Sequence, residues 1–160
     1  MADKKFGVVA SELLRSHDGL GVLKKIIDGS FPSPPISETL TFHLTEAEKG
    51  RAVFEGTPDF RYYNPISTVH GGWTATLLDS ALGCAIFSTL EKGEAWTTLD
   101  LKVNFVRAVN KDSGVLRAEG RLIHRGRTIA TSEGDLKDRA GKLYAHATTM
   151  CMIFPADAGR

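Results

Sequence analysis

After Gly72 the chain reads Trp-Thr-Ala-Thr-Leu-Leu-Asp-Ser-Ala-Leu-Gly-Cys-Ala-Ile-Phe-Ser-Thr-Leu, as far as Leu90. The run is apolar or small on nearly every side of a helical wheel, and its single acid is Asp79. A helix without a polar face must be covered on most sides. Gly93 is a natural stop for it. Broken by Asp79, the run falls short of the roughly 18 uninterrupted apolar residues of a membrane span, so the cover has to be protein. The rest of the chain must therefore be able to wrap a helix.

The segments that follow are suited to wrapping. Leu99, Leu101, Val103 and Phe105 alternate with Thr98, Asp100, Lys102 and Asn104, the period of a strand. Residues 115–124 and 128–137 form two further strands around the Arg125-Gly126-Arg127 turn. Asp138–Lys142 turns the chain into a last strand, Leu143–Phe154. One face of these strands is small: Ala118 and Gly120, then Ala130, Ser132 and Gly134, then Ala145 and Ala147. Small side chains in register let a helix lie close on a sheet. Upstream, Thr39–Leu44 and Arg51–Gly56 read as strands separated by a polar turn over Glu46–Gly50, and residues 58–69 read as a loop.

At the amino-terminal end, Phe6, Val9, Leu13, Leu14, Leu20, Val22, Leu23, Ile26 and Ile27 suit one or two amphipathic helices. These are interrupted around Asp18-Gly19 and Gly21 and stopped by Gly29. Phe31–Ile36 holds three prolines and is expected to cross as an ordered, non-helical segment. The expected organisation is α+β: an antiparallel sheet around one central helix, with a helical segment over 1–37 and the main domain over 38–156.

The chain has 160 residues, 42% hydrophobic and 24% charged, with a formal net charge of +1. That balance excludes a disordered chain, and it argues against an electrostatic grip on nucleic acid. Cys84 and Cys151 sit in apolar segments without metal-ligand spacing, as in a reduced, cytoplasmic protein. The opening Met1-Ala2-Asp3-Lys4-Lys5 leads into no signal-peptide core, and no membrane partner is expected.

Chemistry concentrates in Asn64-Pro65-Ile66-Ser67-Thr68-Val69-His70-Gly71-Gly72, followed by Asp79. A carboxylate on a buried helix is costly unless it is paired or used. Such acids mark functional sites, although a structural aspartate bonded to Ser80 or Thr76 would also satisfy the pattern. Asp79 lies almost two turns beyond Gly72 and so shares a face with the helix start. The first amides of a helix are unpaired and carry partial positive charge, and two glycines leave room for a ligand to reach them. Backbone donors of this kind can form an oxyanion hole. His70 or Asn64 alone would be an ordinary loop residue.

The pattern Asn-x5-His-Gly-Gly-x7-Asp, with Pro-x-Pro-Pro before it and a Thr-x-Asp-Leu-x-Val-x-Phe strand after it, resembles the hotdog-fold acyl-CoA thioesterases of the PaaI-like group. The likeness covers nearly the whole chain and is strongest from Tyr63 to Arg107. It implies a hotdog fold and hydrolysis of acyl-CoA thioesters. By the same resemblance Asp79 acts as nucleophile or as general base toward water, and the Gly71 amide is the oxyanion donor. Asn64 and His70 lie near the thioester, and Thr98 helps orient water. It also implies a homodimer with shared active sites, further paired into a homotetramer. No metal and no cofactor are implied beyond the coenzyme A of the substrate. Gly72 and Trp73 are expected at the substrate, with Phe87 and Phe31–Ile36 as further walls. Arg107, Arg125 and Arg127, and also Arg61, are candidate cations for the phosphates. Two alternatives stand beside hydrolysis: a non-catalytic acyl-CoA binding module, and a hotdog enoyl-CoA hydratase or dehydratase.

Overall fold

The computed structural model describes residues 5–157. The opening stretch Met1–Lys4 therefore lies outside the described residues. Four α-helices, one short 3-10 helix (Phe60–Tyr62, between β2 and α4, within the segment expected to be loop) and six strands follow among the described residues, the α-helices and strands in the order α1 (Ser11–Ser16), α2 (Gly19–Ile27), α3 (Pro35–Thr39), β1 (Phe42–Glu48), β2 (Arg51–Gly56), α4 (Gly71–Phe87), β3 (Glu94–Phe105), β4 (Leu116–Arg125), β5 (Ile129–Asp138) and β6 (Leu143–Pro155). The strands make one antiparallel sheet in the order β1-β2-β4-β5-β6-β3. Helix α4 lies on one face of it.

The small-residue face is what brings α4 so near. A Cβ added at Gly120 would stand 2.3 Å from the Ala81 carbonyl oxygen, and one at Gly134 would stand 2.7 Å from Leu82 Cδ1. Only a bare backbone fits there. Ser132 Oγ, fully buried, donates to the Leu82 carbonyl at 3.0 Å and ties β5 to the helix. Leu77, Leu78, Leu82 and Ile86 of α4 have no exposed surface, and each contributes about 1.5–3 kcal/mol by burial. Around the helix, Ala75, Thr76, Asp79, Ser80 and Cys84 alone form a half-open stripe beyond its first turn. Asp79 sits in the middle of that stripe.

Three readings of the sequence change. Pro35 starts helix α3, which ends at Thr39, so β1 begins only at Phe42. The missing amide and fixed φ of proline suit the first turn of a helix, where no amide has a partner in any case. Second, Glu46–Glu48 extends the strand, and the turn shrinks to Lys49-Gly50, with Gly50 at φ +81°. Glu46 is held there by Arg51 at 2.7 Å and Arg117 at 3.1 Å. Third, the helical stretch is interrupted at His17-Asp18, as expected, but not at Gly21, which lies inside α2 and donates its amide to the capping Asp18 carboxylate at 2.6 Å.

The outer face of the sheet is charged. Glu119 lies among Arg51, Arg117 and Arg121. Burial would raise its carboxyl, but the three guanidinium groups overcome that and hold it at about 2. Among the described residues, no helix is long and apolar enough to cross a membrane.

Strand β3 departs from strict alternation. Thr98 pairs with Cys151 and Asp100 with Met150, so Leu99 is an extra residue, a bulge. Thr149 Oγ1 donates to the Asp100 carbonyl at 2.6 Å and the Met150 amide to Asp100 Oδ1 at 3.2 Å, which fixes the distortion. A one-residue step swaps the faces of a strand. Trp96 and Thr98 therefore point to α4 before the bulge, and Leu101, Val103 and Phe105 after it. Leu99 is turned out at the sheet edge.

Candidate active site

The loop before α4 is fixed at both ends. The Val69 amide donates to the Val109 carbonyl at 2.9 Å and the His70 amide to the Tyr62 carbonyl at 2.7 Å. Within the loop, Asn64 Oδ1 accepts from the amides of Ile66 and Thr68, and Asn64 Nδ2 donates to Thr68 Oγ1 at 2.9 Å. Asn64 is thus the staple of this loop. These bonds hold Ser67 in the left-handed region at φ 65°.

The two glycine amides divide their work. His70 Nδ1 accepts from the Gly72 amide at 2.9 Å, so His70 is the N-cap and the Gly72 donor is already used. The Gly71 amide has no hydrogen-bond partner among the described residues. It opens on a cavity of about 270 Å³ lined by Asn64, Thr68, Thr74, Phe105, Val106 and Arg107, among others. A Cβ at Gly71 would meet the Phe105 ring at 3.1 Å, so glycine is what leaves the amide reachable. Sequence reasoning missed Phe105 as a wall. Its place at the end of an alternating strand was the available signal, and the phase change at Leu99 concealed its face.

Asp79 stands alone on its stripe. Thr98 Oγ1 donates to Asp79 Oδ1 at 3.3 Å. Burial pushes its carboxyl above the usual 3.8, and the Thr98 bond offsets part of that rise. Neither Thr76 nor Ser80 binds it: their hydroxyls donate to the carbonyls of Gly72 and Thr76. The two cysteines are close enough to feel its charge. Burial first, and then Asp79, push the Cys84 thiol up to about 12, and Cys151 is raised as well. Both remain thiols near neutral pH, so neither adds a thiolate beside Asp79.

The expected substrate contacts separate. Trp73 belongs to the core: it is 3% exposed, stacks on Tyr62 and donates from Nε1 to the Leu40 carbonyl at 2.9 Å. Arg125 is held by both carboxylate oxygens of Glu94, at 2.8 and 2.7 Å, away from the Gly71 cavity. Arg107 is exposed and lines that cavity, with its guanidinium over the Tyr144 ring at 5.9 Å. Arg127 is exposed beside Gly126, and Arg61 is paired with Asp59 at 3.1 Å.

A sheet wrapped on a buried helix, with a free amide at the helix start and a lone acid on its open stripe, defines a hotdog protein of the acyl-transfer class. The Thioesterase superfamily profile matches residues 67–145, which run from the loop before α4 into β6. Acyl-coenzyme A thioesterase 13 of Homo sapiens is 29% identical over 103 residues, 64% of this chain and 72% of its own length. A Saccharolobus solfataricus protein provisionally named an esterase is 31% identical over 112 residues, 70% of this chain and 78% of its own. A solved phenylacetic acid degradation-related protein of Ralstonia eutropha JMP134 superposes with TM-score 0.73 at 30% identity, covering 81% of this chain and 98% of that one. The chain belongs to the Thioesterase superfamily, and its family-level activity is hydrolysis of acyl-CoA thioesters.

Proposed function

We propose that the reaction is carried by Asp79 of one copy of the chain and the Gly71 amide of another. The observation behind this is their separation along α4. Eight residues at about 1.5 Å each put them roughly 12 Å apart. A thioester carbonyl needs both groups within about 3–3.5 Å of the reacting atoms. One chain cannot supply both to one substrate. The free edge of β3, with Leu99, Phe105 and Val106 exposed along it, suits pairing with a second copy that would bring the two halves together. Further pairing into a homotetramer is part of the same reading. The unbridged Cys84 and Cys151 fit a reducing cytoplasm.

In this mechanism the carboxylate of Asp79 takes a proton from water as the oxygen attacks the carbonyl carbon, or attacks that carbon itself. Thr98 holds one carboxylate oxygen and leaves the other for this step. Negative charge grows on the carbonyl oxygen and is met by the Gly71 N–H. One such donor in a closed site contributes about 3–4 kcal/mol. The carbon–sulfur bond then breaks and the CoA thiolate leaves. In the first case it takes the proton held by Asp79; in the second it takes one from solvent, after which water hydrolyses the Asp79–acyl anhydride to the free acid and restores the carboxylate. Asn64 shapes the wall, His70 keeps the Gly72 amide occupied, and Arg107 reaches toward the phosphates of the nucleotide.

Mixed oligomers test the two-copy site. Asp79→Asn removes the carboxylate. Gly71→Pro removes one amide at a position where proline suits a helix, and His70 already has the extended ψ of 136° that a following proline requires. Each variant alone is expected to be inactive in a thiol-release assay. Refolded together, they regain up to a quarter of the wild-type sites, since only hybrids contain an undamaged pair. No recovery in verified hybrids, or full turnover by Asp79→Asn alone, would overturn the reading.

A further inference from the structure

Strand β6 grips β3 at two points beside Asp79, and the first is the bulge. Leu101 and Val103 pack on the α4 side of β3, so strict alternation would send Thr98 to the opposite face, away from Asp79. The extra residue Leu99 reverses the phase and brings Thr98 to the carboxylate. What holds that distortion comes from β6. Thr149, 3% exposed, gives its hydroxyl proton to the Asp100 carbonyl at 2.6 Å, and the Met150 amide donates to Asp100 Oδ1 at 3.2 Å.

The second point is Cys151, fully buried directly across from Thr98, with its Sγ 3.9 Å from Thr98 Oγ1. A threonine hydroxyl has one proton and two lone pairs, and here the proton goes to Asp79 Oδ1. In the contact with Cys151 the thiol is therefore the donor and Thr98 the acceptor. Burial keeps Cys151 protonated near neutral pH, so it has a proton to give. Thr98 is itself exposed, and without a partner behind its hydroxyl the side chain is free to take another rotamer. Besides Asp79, the titratable groups at this contact are Cys84 on α4, Cys151 on β6 and Asp100 on β3, and the two thiols stay uncharged.

We propose that Thr149 and Cys151 are positioning residues of the reaction: Thr149 locks the bulge that places Thr98 beside Asp79, and Cys151 turns the Thr98 hydroxyl toward it. The proposal rests on Asp79 as the reacting carboxylate. Both side chains are buried and act only through Thr98. Loss of either weakens a hydrogen bond that favours the charged carboxylate, so the folded pKa of Asp79 rises.

The Asp79 carboxyl, followed by carbon-13 NMR as pH is varied and assigned with the Asp79→Asn protein, reports this contact whether or not substrate is turned over. Thr149→Val and Cys151→Ala are each expected to raise its midpoint by roughly half a unit, the share of one weakened hydrogen bond. Thr149→Ser and Cys151→Ser keep a donor and stay near the wild-type value. The acid limb of kcat/KM in a thiol-release assay should follow the same order. In a Thr98→Val background neither substitution shifts the midpoint further, because the hydroxyl through which both act is gone. Thermal melts establish that each variant is folded, and Thr149→Ala or Cys151→Val replaces one that is not. An unchanged midpoint in either folded variant overturns the role of that residue. So does an equal shift when Thr98 is already valine, or a serine variant shifted as far as the others. Hydrolysis that persists in Asp79→Asn would instead sink the reading of Asp79 as the reacting group, and the NMR midpoints would still decide the positioning.

Discussion

Gly120→Ala converts the close approach of helix and sheet into a number. The new Cβ would stand 2.3 Å from the Ala81 carbonyl oxygen and 2.5 Å from its carbon, where ordinary contact begins near 3.4 Å. Both obstacles are backbone, so no side chain can swing aside. The helix must retreat by about 1 Å, and overpacking of that kind costs about 1–3 kcal/mol. The retreat also stretches the 3.0 Å bond from Ser132 to the Leu82 carbonyl, and a buried hydroxyl left unpaired adds about 1–3 kcal/mol. Alanine restricts the unfolded chain and returns about 0.4–1 kcal/mol. The net loss is about 1–5 kcal/mol, a fall in Tm of roughly 2–20 °C for a chain this long. Asp79 sits two residues before Ala81 and moves with it, so its 3.3 Å contact with Thr98 opens and kcat falls too. Thermal melts and thiol-release kinetics measure both. Gly7→Ala is the control, because its nearest neighbour would be Pro32 Cβ at an ordinary 3.5 Å. A Gly120→Ala protein melting within about one degree of wild type would refute the packing account.

Ionisation of Asp79 gives a second expectation. Because burial raises its folded pKa above 3.8, the folded state holds the proton more tightly than the unfolded chain. Its carboxylate therefore lowers stability fully above the folded pKa and not at all well below 3.8. Asp79→Asn should raise Tm at pH 7, with the gain vanishing in strong acid, while the acid limb of wild-type kcat/KM has its midpoint above 3.8 and moves higher in Thr98→Val. A Tm gain that persists unchanged at low pH would contradict this. The two arginines should also separate. Arg107→Met raises KM for acyl-CoA more than for a short thioester without the nucleotide. Arg125→Met strands Glu94 and lowers Tm by an amount equivalent to about 1–3 kcal/mol, with the two substrates affected alike. Selective loss of CoA esters in Arg125→Met would reverse the assignment.

The central helix, the hairpins and the small-residue face were legible because burial on all sides and period two leave direct marks in sequence. So was the presence of a glycine-opened helix start and a single acid, Asp79, on the same helix. What was not legible depended on partners far along the chain. Arg125 looks like a free turn cation until β3 brings Glu94 to it across 31 residues. Gly72 looks like a second donor until the His70 ring takes its amide. Trp73 looks like a pocket wall until Leu40 accepts from its indole. The bulge at Leu99 is hidden for another reason: alternation reads clean through it, yet the residues on either side change face. Taken literally, period two would put Thr98 on the opposite side of the sheet from Phe105.

The strand order has a consequence for biosynthesis. β3 touches only β6 within the sheet, and Thr98 meets Cys151 across 53 residues of sequence. Closing so long a loop is slow compared with forming hairpins, and a growing chain presents its early segments first. The acid on α4 is therefore made long before the threonine that steadies it can be seated. Until residues 143–155 arrive, α4 lacks part of its cover and the strand carrying Thr98 has no neighbour. A nascent chain arrested before β6 is synthesised would therefore leave α4 partly uncovered and β3 without its one neighbour in the sheet, and is expected to be prone to association.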